Sequence, residues 1–380
     1  MTSFALNPVP EILFGPGRLA DLPKKAEALA GSGAPLLLVA DPALKGLGIT
    51  ALAIEILEKA GFAIETYDGF TGEPRAQDVD AATALARRSA AKLVVGLGGG
   101  SALDTAKLVA CCAVSGRAAM DYALCATPLP QNRLPVIAIP TTAGTGSEAT
   151  AISVFSNAEK VKVWAFGKEL KPDLAILDPE LTASVPPQVT AATGLDAIVH
   201  CIEAATNKYA HAGNDLYALE GIRLIAAHLE RAVKRGDDVD ARGALLLGAC
   251  YGGIAIDNCG TALAHNISHA VADLAPIAHG RATGLAMLAT MDWVLEGNRP
   301  GFARVAQAMG GGDPVQLFDR LVRASGIKVS LEGDGLDLGN PQLLAQHMAS
   351  PANAPMRKST ARYPSGDDLV MLAGRFLSLR

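Results

Sequence analysis

No uninterrupted apolar run in this chain approaches the ~18 residues of a membrane span, and long blocks of like charge, C-x-x-C pairs and internal repeats are all missing. The first absence predicts a protein with no bilayer-spanning helix and no membrane partner. The most apolar stretch, 243–275, is broken by Asp257, Asn258, Asn266, Asp273 and two histidines, as expected of buried helices in a large core. Lys+Arg at 33 against Asp+Glu at 38 gives a net charge of −5, which disfavours nucleic acid as a partner. The opening MTSFALNPVPEILFGPG has no basic segment leading into an apolar one, so the expected compartment is the cytoplasm. Cys111, Cys112, Cys125, Cys201, Cys250 and Cys259 accordingly read as reduced core thiols in apolar surroundings. A G-x-S-x-G elbow is also missing, which leaves covalent acyl transfer without support.

What is present is a chain of 380 residues, half of them apolar and 39 of them glycine. That length predicts two domains rather than one core, and two domains imply a cleft. From Pro35 to Pro140 short β-branched runs alternate with helical stretches, the pattern of βαβ units in a parallel sheet. Strands are expected at 36–40, 62–67, 93–96 and 135–139, with helices over 48–60, 77–90 and 101–114 between them. A hairpin is expected within 151–166 and a short strand at 174–177. Beyond Pro179 the strand runs stop, and Ala, Leu, Gly and His recur at helical spacing. The predicted fold is therefore an α/β N-terminal dinucleotide-binding domain with a doubly wound parallel sheet, residues 1–182, followed by an all-α domain, residues 183–380. Pro179, Pro186 and Pro187 mark the boundary.

Two glycine-rich loops carry the first functional signal. LVVGLGGGSALDTAK sets Gly98, Gly99, Gly100 and Ser101 between a strand and a helix start, where free amides and the helix dipole favour a phosphate. The alternative is an ordinary turn with Ser101 as N-cap and Asp104 three residues on. IPTTAGTGSEAT follows the next strand and brings Thr141, Thr142, Thr145 and Ser147 to the same expected sheet edge. Asp41 ends the first strand of the series, where a carboxylate accepts from a ribose diol and repels a 2′-phosphate; it could equally cap the turn before Pro42.

Histidine and carboxylate spacing carries the second signal. In ATGLDAIVHCIEA, Asp196 and His200 are four apart and share a helix face. In ALAHNISHAVADLAPIAHG, His265 and His269 share a face and His279 follows. Three imidazoles and a carboxylate suit a divalent ion such as Fe(II) or Zn(II). Each histidine taken alone reads equally as a hydrogen-bonded core residue, and His211, His228 and His347 read only as surface or structural groups.

These segments together resemble the iron-containing (group III) alcohol dehydrogenases. The resemblance rests on GGGSALDTAK at 98–107, PTTAGTGSE at 140–148, D-x-x-x-H at 196–200, H-x-x-x-H at 265–269 and H-G at 279–280, in family order. It implies the dehydroquinate synthase-like architecture, with NAD and a metal, Fe(II) favoured over Zn(II), meeting in the cleft. It assigns the metal to Asp196, His200, His265 and His279, and places His269 beside the nicotinamide as orienting group or proton relay. Lys162, which alone reads as a solvated hairpin charge, matches a lysine that approaches the cofactor ribose. Two departures are evident: Ala278 stands where many members have proline, and Gly72-Glu73-Pro74 replaces a P-N-P-like segment. The implied activity is metal- and NAD-dependent oxidation of a small alcohol to its aldehyde or ketone, by a homo-oligomer, most simply a dimer. Glycerol or polyol oxidation, and a cyclising reaction of the dehydroquinate type, are the alternatives. The latter expects a basic phosphate pocket, whereas Arg223, Arg231, Lys234 and Arg235 read as an exposed charged helix face.

Overall fold

Leu36, Leu37, Leu38, Val39 and Ala40 are all fully buried, because both faces of their strand are covered. Leu37 and Val39 pack into one apolar layer with Val79, Val94 and Leu108, while Leu36, Leu38 and Ala40 pack into another with Leu57, Val95 and Ile137. The computed structural model describes residues 3–70 and 72–380. It contains the elements β1 (Glu11–Phe14), α1 (Leu22–Ala30), β2 (Pro35–Ala40), α2 (Ile49–Lys59), β3 (Ala63–Tyr67), α3 (Ala76–Arg88), β4 (Leu93–Gly98) and α4 (Gly100–Ser115). These are followed by β5 (Val136–Pro140), β6 (Ile152–Ser156), β7 (Lys162–Phe166) and β8 (Leu174–Leu177). Six strands form one parallel sheet in the order β1-β8-β5-β4-β2-β3, and β6 and β7 form an antiparallel hairpin. The chain leaves β2 for the outer strand β3 but leaves β4 for β5 on the other side. The reversal puts a topological switch point between β2 and β4, where such sheets bind ligands beyond their carboxyl ends.

The sequence anticipates every one of these strands except β1, which has only four residues and joins the sheet edge beside β8. The chain divides into two compact units at Ser184–Val185. The α/β unit is Pro8–Thr142 with Ser147–Ser184, and the remainder is helical. Two stretches counted with the first domain by sequence, the residues up to Asn7 and Ala143–Gly146, belong to the helical unit. Side-chain chemistry explains both. Asn7 is hydrogen-bonded to Asp257 and Asn258, and Gly144 and Gly146 are seated on Thr193 and Gly253 so closely that a Cβ would fall within 3 Å of each.

The helical unit holds α5 (Pro187–Thr206), α6 (Ala212–Lys234), α7 (Val239–Cys259), α8 (Leu263–Ala272), α9 (His279–Leu295), α10 (Arg299–Ala308), α11 (Pro314–Ala324), α12 (Pro341–Met348), α13 (Ala354–Ser359) and α14 (Gly366–Leu377). Among the described residues α7 is the one single helix long and apolar enough to cross a bilayer, and two-thirds of its most apolar stretch is buried, with α5 and α6 packed against it. One sequence expectation is corrected here: Cys125 is exposed, not a core thiol. It sits with Leu124 in left-handed backbone at the end of a short kinked helix, which turns both side chains away from the interior. The other five thiols are buried, and burial pushes those of Cys111, Cys112 and Cys259 up to about 12.

Candidate active site

In the α/β unit, the carboxyl ends of β2, β4 and β5 are neighbours, and Asp41, the 98–101 loop and Thr141–Thr142 stand on them. Thr141 N–H donates to the Gly98 carbonyl at 2.9 Å, and Asp41 N–H to that of Leu97 at 2.9 Å, so the three segments are stitched edge to edge. Gly98 has φ +150°, and a Cβ there would lie 2.7 Å from Cβ of Asp41 and 2.8 Å from that of Ala102. Only glycine lets the turn run this close to both. The alternative reading of this loop, a Ser101 cap, is not what forms. Helix α4 starts at Gly100 with Gly99 as its N-cap residue, and glycine has no side chain to serve as a cap; Asp104 is engaged elsewhere. Its Oδ1 accepts from Lys107 Nζ at 3.0 Å and from the Ser147 hydroxyl, and its Oδ2 accepts from Val154 N–H at 3.0 Å.

The remaining residues of this group are placed as follows. Thr142 lies against Gly99, 3.3 Å from where a Cβ would be. Ser147 is buried, and its hydroxyl serves Lys107 and Asp104, whereas Thr145 is half-buried and carried by the helical unit. Asp41 Oδ1 accepts from Ala43 N–H at 3.0 Å, so the carboxylate caps the following turn. Lys162 Nζ is paired at 2.6 Å with Glu73, in the segment that departs from the family pattern, and its side chain is mostly buried.

In the helical unit α5, buried beyond its first turn except for the half-buried Thr193, presents Asp196 and His200 one turn apart, and α8 and α9 bring histidines to them. His265 Nε2 lies 3.6 Å and His279 Nε2 3.7 Å from the same Asp196 oxygen, and the three residues are close enough to share one ion. The His200 ring stacks on that of His265 at a centroid distance of 4.4 Å. The His269 ring stands edge-on to His279 at 5.5 Å. Gly280 makes this approach feasible, since a Cβ there would fall 2.2 Å from the Ala192 carbonyl oxygen and 3.0 Å from Asp196 Cβ. The H-G pair thus joins a donor to the residue that lets its helix touch α5. His211 and His228 have structural partners, the first capping α6 and the second bonded to Leu224, while His347 pairs with Asp273. Arg223, Arg231 and Lys234 on α6 and Arg235 just after it are exposed and paired with Glu220, Asp238 and Glu230.

The electrostatics follow from burial. Desolvation opposes ionisation of Asp196, but the imidazoles of His200, His279 and His265 more than offset it and hold the carboxyl well below its usual range. Burial dominates at His200 and pushes the ring down to about 4, which keeps it neutral. At His265 burial is outweighed by the Glu203 and Asp196 carboxylates, which lift the ring to about 9. Asp196 Oδ1, His200 Nδ1 and His265 Nε2 are buried atoms without a hydrogen-bond partner. Such clustered unsatisfied polar atoms are costly unless something else occupies them. Donors about 2.0–2.2 Å from one tetrahedral ion stand roughly 3.4 Å apart, close to the spacings here and too long for hydrogen bonds. Asp196, His265 and His279 therefore fit a divalent metal, and His200, stacked on His265, lies outside that group of three.

Two supporting groups escape the sequence reading. Glu203 accepts from His265 Nδ1, and Ser268 Oγ lies 2.8 Å from His279 Nδ1. The signal for Glu203 was present, since Asp196, His200 and Glu203 follow the i, i+4, i+7 spacing of one helix face. The serine, one of many in the chain, carries no such pattern.

Comparison with known proteins gives the family. The family model for iron-containing alcohol dehydrogenases matches residues 9–179, and that for the family's C-terminal region matches 190–370. The chain is 37% identical over 314 residues to long-chain-alcohol dehydrogenase 1 of Geobacillus thermodenitrificans, covering 79% of each. It is 30% identical to the NAD-dependent methanol dehydrogenase of Bacillus methanolicus, covering 91% of this chain and 89% of that one. The crystal structure of sulfoacetaldehyde reductase from Bifidobacterium kashiwanohense, in complex with NAD+, superposes with a TM-score of 0.90 at 27% identity, over the full length of both chains. The chain belongs to the iron-containing alcohol dehydrogenase family and is an oxidoreductase acting on CH–OH groups.

Proposed function

We propose that the enzyme oxidises a small alcohol reversibly to its aldehyde or ketone with NAD, using a divalent ion held by Asp196, His200, His265 and His279. The observation that carries this reading is the group of Asp196, His265 and His279, close enough to share one ion, in which Asp196 Oδ1 and His265 Nε2 are buried and unpartnered; His200 stacks on His265 beside it. A bound ion would supply Lewis acidity toward the alcohol hydroxyl, and NAD would accept the hydride. Asp196 contributes negative charge, and the neutral ring of His200 contributes a lone pair without a proton to displace. His269, beside His279 and half-buried, is the candidate to pass the hydroxyl proton outward. Asp41, the 98–101 loop and Thr141–Thr142 form the proposed dinucleotide edge, with the amides that open α4 toward the pyrophosphate. Lys162, Thr145 and Ser147 complete the proposed cofactor set. Fe(II) is the favoured ion, Zn(II) the other candidate, and a homodimer the assembly that the family resemblance implies.

The test is a panel of small alcohols, diols and aldehydes assayed with NAD and NADP after loading with Fe(II) or Zn(II). Failure to turn over any of them would sink the proposal. Within it, Asp41→Gly removes the carboxylate that faces the ribose and is expected to raise relative use of NADP about tenfold, equivalent to ~1.4 kcal/mol. Preference of the parent for NADP would remove that role from Asp41. His269→Gln keeps a hydrogen-bonding group but cannot titrate between about pH 5 and 8. It is expected to retain metal while lowering kcat and changing the pH–rate profile. An unchanged profile would dismiss the relay.

A further inference from the structure

Glu203 is almost completely buried, on α5 two turns from Asp196, and the hydrogen bonds of its carboxylate converge on the start of α8. One carboxylate oxygen accepts from Ala262 N–H at 2.6 Å and from His265 Nδ1–H at 2.6 Å, and the other accepts from Ala264 N–H at 2.7 Å. Ala262, the N-cap residue of α8, offers no side-chain cap, so a carboxylate seven residues beyond Asp196 serves in its place. The same group fixes which face of the His265 ring is presented. With Nδ1–H committed to Glu203, the nitrogen aimed at Asp196 is Nε2, and Nε2 is the atom left buried without a partner. His279 is backed through its own Nδ1, though by the neutral Ser268 hydroxyl.

We infer that Glu203 is a positioning residue of the metal centre: it holds His265 as the Nδ1–H, Nε2-donor form and ties the first turn of α8 to the stripe that carries Asp196 and His200. A ligand imidazole backed by a carboxylate is oriented, and more basic, and loss of such a partner typically weakens metal binding by about 10- to 100-fold. Glutamine cannot substitute. Wherever its single carbonyl points, its NH2 meets at least one N–H of Ala262, Ala264 or His265, so a donor faces a donor. The inference rests on the proposed ligand set, and the experiment separates the two.

Zn(II) affinity is measured by chelator competition for the parent, His265→Ala and Glu203→Gln, together with the rise in melting temperature that Zn(II) gives each protein. Glu203→Gln is expected to bind Zn(II) about 10- to 100-fold more weakly and to lose much of that rise. Comparing the rise rather than the melting temperature itself removes any metal-independent loss of the α8 cap. In parallel, 15N-histidine spectra of the Zn(II)-loaded parent are expected to show His265 bound through Nε2 with a far-downfield Nδ1–H, a test that holds even if the variant does not fold. Parent affinity in Glu203→Gln, or metallation of His265 through Nδ1, overturns the role of Glu203 alone. No Zn(II) uptake by the parent, or full uptake by His265→Ala, overturns the ligand set and this inference with it.

Discussion

Replacement of His265 by alanine is expected to remove nearly all bound metal and nearly all turnover from a chain that remains folded. His265 is almost fully buried among Asp196, Glu203 and His200, and the substitution deletes the donor nearest to Asp196. Three donors are left, and the buried Glu203 carboxylate loses its imidazole but keeps the amides of Ala262 and Ala264. The start of α8 therefore retains its cap. Lewis acidity contributes several kcal/mol to reactions of this type, so loss of the ion should lower kcat/KM by on the order of 1000-fold or more. Metal analysis, kcat/KM and far-UV circular dichroism on one preparation decide the matter. A full equivalent of metal with normal turnover removes His265 from the ligand set. Metal lost from His269→Gln but kept in His265→Ala would instead give the ligand role to His269.

The parts of this centre that were legible in the sequence are those in which chemistry and period coincide. Asp196 and His200 stand one turn apart on a helix, and the apolar period that predicts the helix also predicts their shared face. The sheet was legible for a similar reason: β2, β4 and β5 are buried on both sides and read as unbroken apolar runs. β1 was not, because a four-residue edge strand with mixed exposure carries no pattern long enough to separate it from a loop. Partners set by tertiary packing were also out of reach. Nothing in the spacing says that Glu203 meets residues 262–265, or that Gly280 touches Ala192, since both contacts depend on how α8 and α9 lie on α5. Asp104 was legible as a residue of interest but was assigned the wrong partner. Its place three residues after Ser101 imitates a capping box, and only the fold shows that its carboxylate turns to Lys107 and β6 instead.

The pair of Asp104 and Lys107 leads to the largest expected effect on stability. Lys107 is fully buried, and its three ammonium hydrogens are shared among four acceptors in reach, Asp104 Oδ1 at 3.0 Å, the Ser147 carbonyl at 3.0 Å, Ser147 Oγ at 2.8 Å and Thr150 Oγ1 at 3.2 Å. Asp104 in turn holds Val154 N–H at the start of the β6–β7 hairpin. One ammonium thus joins α4, the segment after β5 and the hairpin within the α/β unit. Lys107→Ala leaves the Asp104 carboxylate charged and nearly buried, with the Ser147 and Val154 donors but no cation. Breaking a buried pair from one side costs about 3–5 kcal/mol, set against a total stability on the order of 5–15 kcal/mol. Lys107→Ala should lower the melting temperature by on the order of 10 °C. Removing both charges should cost less than removing one, so Asp104→Asn combined with Lys107→Met is expected to recover part of the loss. The check is thermal unfolding of Lys107→Ala, Lys107→Met, Asp104→Asn and the double variant, all metal-free, so that changes in the helical centre do not enter. If Lys107→Ala melts within a degree of the parent, the ammonium does not organise this unit. If the double variant loses more stability than the losses of Lys107→Met and Asp104→Asn summed, the coupling between Lys107 and Asp104 has the opposite sign to the one argued from their geometry.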